Sequence, residues 1–405
     1  MKIKHIAAVA AAMVAGTAFA QSNVTLYGVI DTGVRFENNA DGKGRNATYL
    51  NNGTLSNSRF GLMGKEDLGN GLKAGFQIEA GFSANDGSQD GSNPSNTTNK
   101  DGSKLFNRTA KVGVDSEFGS VYFGRQYTVM YDIVSLYEPT EWYNAESYVT
   151  AASIVPTGML VPYRSDNTVY YAGTFGPVTL RASYAFGGVP GSMPSGSKWA
   201  GGLSYDDNIL GGNLKLGTAF SRDVSNGNLN PIDGFPNYFS NSGATTYNAD
   251  TVTVGGAYGY GLIKGMAGYI YKKTDGQNLV AGGIGSYNQN TWFIGFGYST
   301  PINVDLTLAY YRHKLNAKGT KASGAFNPTG TGNQSDGKAD VVVFIADYKL
   351  SKRTDLYAAY DYTRTGKGDG LQYSYMPISL SNDSGITTNT KNTRSGYTIG
   401  VRHRF

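Results

Sequence analysis

The charged residues of this chain fall into two sets whose placement suits an electric field across a gap better than the making or breaking of a bond. Arg59 stands opposite Phe60 and Leu62 in an alternating run, Arg164 shares parity with Tyr170 and Ala172, and Arg35 and Arg181 also fall on the polar side of such runs. Side chains of an extended strand point alternately to its two faces, so these guanidiniums share a polar face. They keep their charge at any physiological pH. The second set is acidic. Asp132, Glu138, Glu141 and Glu146 lie within TVMYDIVSLYEPTEWYNAESYVTAASIVPTGMLVP at 128–162, which is rich in apolar and aromatic residues and poor in glycine and serine. A loop left in bulk water has no reason to be so apolar, whereas one packed inside a structure does. Acids on such a loop, facing fixed arginines across an opening, would orient dipolar solutes, hold water and bias which ion sign passes. Glu138 and Glu141, on either side of Pro139, are the acids expected to face the opening.

Material for bond chemistry is scarce. The chain has no cysteine, and beyond its first twenty residues it has only His313 and His403, too little for a Ser-His-Asp site or a His-rich metal site. No cofactor or metal is expected. Both histidines read as girdle or surface residues. GYGLIKG at 259–265 has the wrong spacing for a dinucleotide loop and reads as a turn. The first twenty residues have a basic start (Lys2, Lys4), an apolar run from Ile6 to Val14 and the small-x-small end Ala18-Phe19-Ala20, the pattern of a secretory signal peptide. The expected division is therefore a signal peptide over 1–20 and one mature domain over 21–405. Removing Lys2 and Lys4 takes the formal charge from +5 to +3, and no basic block points to nucleic acid as a partner.

The elements that must position these charges are strands. RSGYTIGVRHRF, which ends the chain, sets Tyr397, Ile399, Val401, His403 and Phe405 against Arg394, Thr398, Arg402 and Arg404. NVTLYGVIDTGVRF from Asn23 and GLKAGFQIEAGFSA from Gly71 alternate in the same way, as do runs from Pro177, Gly212, Asn290, Asn303 and Thr354. Only part of 128–155 allows a helical period. No apolar run beyond the leader reaches the ~20 residues of a membrane helix, and overall hydropathy is polar. Barrel strands hide a lipid-facing side by alternation, so hydropathy does not exclude the membrane.

Connections alternate in length. Tight ones fall near Glu66–Asn70, Ser116–Gly119, Phe175–Pro177, Asp207–Gly211, Gly259–Gly261, Pro301–Ile302 and Ser351–Arg353; long polar ones fall at 37–56, 84–104, 127–162, 188–197, 225–249, 275–289, 315–338 and 365–393. That rhythm joins sixteen strands with both chain ends on the short-turn side, as in outer-membrane barrels. A β-sandwich of this length would split into domains of ~100 residues, and no linker is visible. The fold expected is all-β: a sixteen-stranded antiparallel transmembrane β-barrel with a constriction loop folded into its lumen. Hydrocarbon tolerates no unpaired backbone, so the first strand must close on the last.

VTLYGVIDTG, SRFGLMGKEDLGNGLKAGFQIE at 58–79, FGSVYFGRQY at 118–127, RSDNTVYY at 164–171 and the C-terminal phenylalanine occur in this order along the mature chain. In them the chain resembles the trimeric general porins of Gram-negative outer membranes, particularly the neisserial and Burkholderia-like branch. The resemblance implies a homotrimer, a third loop folded into the lumen, and passive diffusion of ions and small hydrophilic solutes. It matches Arg59, Arg108 and Arg164 to the family's basic cluster on the barrel wall, and Phe405 to the family's signal for the barrel-assembly machinery. Arg108 shares parity with Ala110, Val112 and Val114, and Arg125 with Val121 and Phe123, so each reaches the interior only across a bulge. Arg35, Arg125 and Arg181 are further candidates for the basic lining, and Asp132, Glu138 and Glu141 for the acidic side. A substrate-selective channel, a barrel enzyme and an adhesin are the alternatives. Saturable inhibition by one solute, hydrolysis of lipid or peptide, or a plugged lumen would distinguish them.

Overall fold

Alternation becomes strand nearly everywhere it occurs in the sequence. The computed structural model describes residues 23–40, 44–89, 104–140, 160–224, 246–277, 286–318, 337–366 and 391–405. The first strands are β1 (Asn23–Glu37), β2 (Ala47–Asn52), β3 (Arg59–Gly69), β4 (Leu72–Gly81), β5 (Thr109–Ser116) and β6 (Gly119–Tyr127). A short helix, α1 (Val129–Val134), follows, then β7 (Arg164–Phe175), β8 (Val178–Ala185), β9 (Lys198–Ile209), β10 (Gly212–Val224) and β11 (Thr246–Tyr260). The chain ends with β12 (Ile263–Gln277), β13 (Ser286–Ser299), β14 (Val304–Lys318), β15 (Gly337–Lys349), β16 (Thr354–Thr365) and β17 (Thr393–Arg404).

These strands form one closed antiparallel sheet, with β17 paired back onto β1 from Val29 opposite Arg404 to Glu37 opposite Gly396. Seventeen segments fill sixteen positions around the barrel. β2 and β3 lie end to end along the same side of β1, β2 against Thr32–Glu37 and β3 against Asn23–Val29. The expected connection 37–56 therefore contains a strand, and the second stave of the barrel is broken at 53–58. The seven tight turns fall where expected. Asn70, Asn303 and Gly261 adopt positive φ there, and so does Leu210. Asparagine and glycine enter that region easily, whereas Leu210 does so with its side chain 90% exposed.

The two faces of the sheet follow parity. Val24, Leu26, Ile30, Val34, Ile294, Leu308, Ile399 and Val401 point outward and are exposed in the isolated barrel, forming the apolar band that faces lipid. Inside, two clusters of buried charge are paired. Arg35 meets Asp361 through two bonds of 2.7 and 3.0 Å and Glu37 at 2.5 Å. Arg402 joins Asp355 at 2.8 Å and Asp347 at 3.0 Å. Burying a charge is costly unless it is paired and hydrogen-bonded, so these groups tie the last three strands to the first.

The terminal residue completes the seam. Phe405 N–H donates to the Gly28 carbonyl and Gly28 N–H to the Phe405 carbonyl, both at 3.0 Å. Its ring lies where any side chain at 28 would stand: a Cβ on Gly28 would come within 2.3 Å of the ring. Two backbone bonds at ~1 kcal/mol each and partial burial of the ring at ~1–2 kcal/mol set the expected cost of deleting Phe405 at roughly 3–4 kcal/mol. Refolding the truncated chain in detergent and measuring the fraction with folded electrophoretic mobility checks this. Wild-type yield and stability would show that the terminal pair does not hold the seam.

Candidate functional site

Arg59 is the first residue of β3, directly after the broken stave, and its side chain remains 30% exposed. Its Nε lies 3.5 Å from Glu79 Oε2, while its Nη1 donates to the Asn57 carbonyl at 3.0 Å. Arg108 stands just before β5. There the strand is irregular at its entry: both Arg108 and Thr109 are buried, and the Arg108 N–H donates to the Glu79 carbonyl. Alternation is broken at that step, which brings Arg108 inside despite its parity. Its Nε donates to Glu79 Oε1 at 2.6 Å and its Nη2 to the Tyr127 hydroxyl at 3.0 Å. Arg164, at the head of β7, donates from Nη2 to the same hydroxyl at 2.9 Å and lies 4.5 Å from the centre of the Tyr127 ring. The structure thus gathers Arg59, Arg108 and Arg164 around Glu79 and Tyr127.

Arg125 joins them by a bulge. The β6–β7 register shifts between Gly124 and Gln126, Gly124 takes a φ of +122°, and both Arg125 and Gln126 are buried. An extra residue on one strand re-aims a side chain in this way. Arg125 donates to Asp166 at 2.5 Å, and Lys104 holds the same carboxylate at 2.7 Å. Four cationic side chains therefore share two carboxylates, Glu79 and Asp166, with Arg164 beside them on the Tyr127 hydroxyl. Sequence reasoning missed Glu79, Tyr127, Asp166 and Lys104 as members of the site. Glu79 and Asp166 carried a usable signal, since Glu79 sits on the polar face of its strand and Asp166 has the parity of Arg164.

The other basic candidates go elsewhere. Arg35 is buried in the Asp361 and Glu37 network and does not meet water in the lumen. Arg181 faces inward, donating to Ser204 at 2.7 Å, and with Lys111 it exerts an attractive charge on Asp132.

The acidic segment leaves the wall at Thr128, whose hydroxyl caps α1 by accepting the Tyr131 N–H. The apolar residues of α1 and the following turn press against the inside of the sheet, where successive strands present glycine. A Cβ on Gly202 would meet Val129 at 2.9 Å and Ile133 at 3.0 Å; one on Gly217 would meet Ile133 and Tyr137; one on Gly255 would stand 2.4 Å from the Tyr137 ring; one on Gly295 would stand 2.1 Å from Pro139. This bare track across β9, β10, β11 and β13 lets residues 129–139 lie flush against the wall. Tyr137 is fully buried, its ring stacked with Phe293 and its hydroxyl 2.6 Å from that of Thr253. The track was legible as glycine recurring at interior parity on neighbouring strands.

Of the acids, Asp132 accepts from the Tyr170 hydroxyl at 2.5 Å. Burial pushes its carboxyl above the usual range, against the pull of that bond and of Arg181 and Lys111. Glu138 is buried and so does not line an open passage. It takes the Thr140 N–H at 3.0 Å and the Thr140 hydroxyl at 2.8 Å, two residues along its own segment, and the Tyr311 hydroxyl from β14. Glu141 and Glu146 lie outside the described residues, as does the leader segment 1–20. His313 also differs from expectation. It shares the inward parity of Ala309, Tyr311 and Leu315, is buried, and bonds Thr291 through Nδ1 at 2.7 Å. His403 faces outward, next to the Thr354 hydroxyl.

A closed barrel with a basic inner wall has known counterparts. The family model described as Gram-negative porin matches residues 7–368. An outer membrane porin protein of Bordetella pertussis is 28% identical over the whole of both chains, and outer membrane porin protein 32 of Delftia acidovorans is 26% identical over 99% of each. Among solved structures, an anion-selective porin from Comamonas acidovorans superposes with a TM-score of 0.68 at 22% identity, covering 95% of this chain and 100% of that one. The trimer form of OmpT from Vibrio cholerae gives 0.62 at 15% identity, covering 95% and 99%. With the family model spanning most of the sequence and its strands closed into sixteen staves, the chain belongs to the Gram-negative porin family and is a passive diffusion channel of the outer membrane.

Proposed function

We propose that this channel is a general pore for ions and small hydrophilic solutes, with a slight preference for anions. Its narrowest zone lies between the basic wall of Arg59, Arg108 and Arg164 and the segment beginning at Thr128, which acts as the constriction loop. The observation that carries this reading is the charge balance on the wall. Arg59, Arg108, Arg164, Arg125 and Lys104 stand together there, and the carboxylates that meet them among the described residues are Glu79 and Asp166. The fold shared with an anion-selective porin supports the same sign.

The pore assembles as a homotrimer. The small residues of YGVIDTGV on β1 and the glycines of 61–75 let neighbouring barrels approach closely, and a trimer form is recorded for the Vibrio protein with this fold. The leader 1–20 is removed on export, and Phe405 is read by the barrel-assembly machinery. The channel carries out no covalent chemistry.

Planar-bilayer recording of the purified protein tests the reading. Stepwise insertion of ohmic channels in groups of three, with a reversal potential slightly on the anion side in a salt gradient, is the expected result. No conductance, with lipid or peptide hydrolysis instead, would overturn it in favour of an enzyme, and saturable block by one solute would favour a substrate-selective channel.

A further inference from the structure

The broken stave has a physical cause and a consequence for the pore. Residues 53–58 leave the β ladder and turn toward the lumen, with Thr54 and Ser58 fully buried. Gly53 permits the departure: its φ is +68°, and a Cβ there would stand 2.9 Å from the Asn57 Cα. Asp31 holds the fold in place. Its Oδ2 accepts the N–H groups of Leu55 at 2.8 Å and Ser56 at 2.7 Å, and its Oδ1 accepts the Tyr357 hydroxyl at 2.6 Å. The backbone of Asp31 contributes too, its N–H donating to Ser58 Oγ at 3.0 Å and its carbonyl accepting the Gly53 N–H at 2.8 Å. From across the barrel seam, Arg402 donates to Ser56 Oγ at 2.9 Å. The segment is therefore tied at both ends and in its middle.

The fold ends at Asn57, whose carbonyl takes the Arg59 guanidinium. Among the described residues, Arg59 has one competing acidic partner, Glu79, at the longer distance of 3.5 Å. Glu79 is already engaged by Arg108 at 2.6 Å and by the Tyr27 hydroxyl at 3.0 Å. We propose that Asp31 is a positioning residue for ion selectivity: by pinning 53–58, it sets the Asn57 carbonyl to keep the Arg59–Glu79 ion pair long, at 3.5 Å, and Arg59 out in the lumen. Once the pin is lost, Arg59 closes on Glu79 and its charge is more fully offset. This inference rests on the reading above that Arg59 lines the narrow zone.

The sign of the effect makes the proposal testable. Acting only as a nearby negative charge, Asp31 would disfavour anions, and removing it would shift selectivity toward anions. Acting through Arg59, its removal does the opposite. The experiment is the reversal potential of single barrels or trimers in a potassium chloride gradient, for the full chain carrying Asp31→Ala, Asp31→Asn, Tyr357→Phe and Arg59→Ser. Asp31→Ala is expected to move toward cations by at least half the shift of Arg59→Ser, and to add nothing in that background. Asp31→Asn is expected to stay near wild type, because its amide oxygen can take the Leu55 and Ser56 N–H groups while its amide nitrogen donates to the Tyr357 oxygen. Tyr357→Phe is expected to give a smaller shift toward cations, and it decides the matter should Asp31→Ala not fold. A shift toward anions, equal in the alanine and asparagine variants, would overturn the proposal, as would a silent Tyr357→Phe where the alanine variant is lost. A silent Arg59→Ser would instead show that Arg59 does not line the narrow zone, so failure of that reading is distinguishable from failure of the positioning role.

Discussion

Replacing Arg59 and Arg164 together by serine is expected to move the reversal potential in a salt gradient toward cations and to raise single-channel conductance. Each guanidinium acts on an ion ~8 Å away with ~0.5 kcal/mol at the dielectric constant of water. Losing two therefore changes the anion barrier by at most ~1 kcal/mol, or up to about fivefold in rate at low salt. At physiological ionic strength the Debye length of ~8 Å removes part of this, so the measurement belongs at low salt. Arg59, with 30% of its side chain exposed, should account for most of the selectivity. Arg164 is stacked on Tyr127 and shares that hydroxyl with Arg108, so its removal should mainly loosen the wall and widen the passage. A double variant unchanged in both selectivity and conductance would show that these arginines do not line the constriction.

Unseating the segment after α1 should produce the second large change. Tyr137→Ala removes a fully buried ring from its place over Gly255 and Gly268 and beside Phe293. Truncations of buried aromatic side chains cost ~3–5 kcal/mol, and here the loss falls on the seating of the loop rather than on the barrel. Thr253 keeps its bond to the Tyr269 carbonyl, so no hydroxyl is orphaned. Gly217→Val attacks the same seating from the wall, since its Cβ would stand 3.1 Å from the Tyr137 ring and 3.0 Å from the Ile133 side chain while valine suits a strand. Both variants are expected to fold and to insert as wild type does, yet to show higher and noisier conductance. Because they share one contact, the double variant should fall well short of the sum of the two. Quiet channels of unaltered size in both single variants would separate this segment from the narrowest zone.

Much of the barrel was legible before any coordinates. Alternation of Val24, Leu26, Ile30 and Val34 against Asp31 and Arg35, or of Ile399 and Val401 against Thr398 and Arg402, sorts residues by face because the strand period is two. Seven tight turns, six of them carrying Asn, Gly or Pro, set the strand count between such runs, and the need to pair every backbone group in hydrocarbon required closure. Arg59, Arg164 and Arg181 followed from parity alone.

What escaped parity was every place where the period of two fails or where partners come from distant strands. Arg108 and Arg125 reach the interior through an irregular strand entry and a bulge, local shifts in register that alternation cannot register. The break at 53–58 lay in a stretch that reads as loop, because the carboxylate that pins it, Asp31, and the hydroxyl that steadies it, Tyr357, stand 326 residues apart and meet only across the closed seam. Glu138 was expected to face the opening and is instead buried and bound by Tyr311, 173 residues away. By itself the sequence determined faces, strand number and the sign of the charges available, since these depend on neighbours along the chain. The tertiary structure decided which charges are neutralised and which stay in water, because that depends on side chains brought within ~3 Å by closure of the barrel.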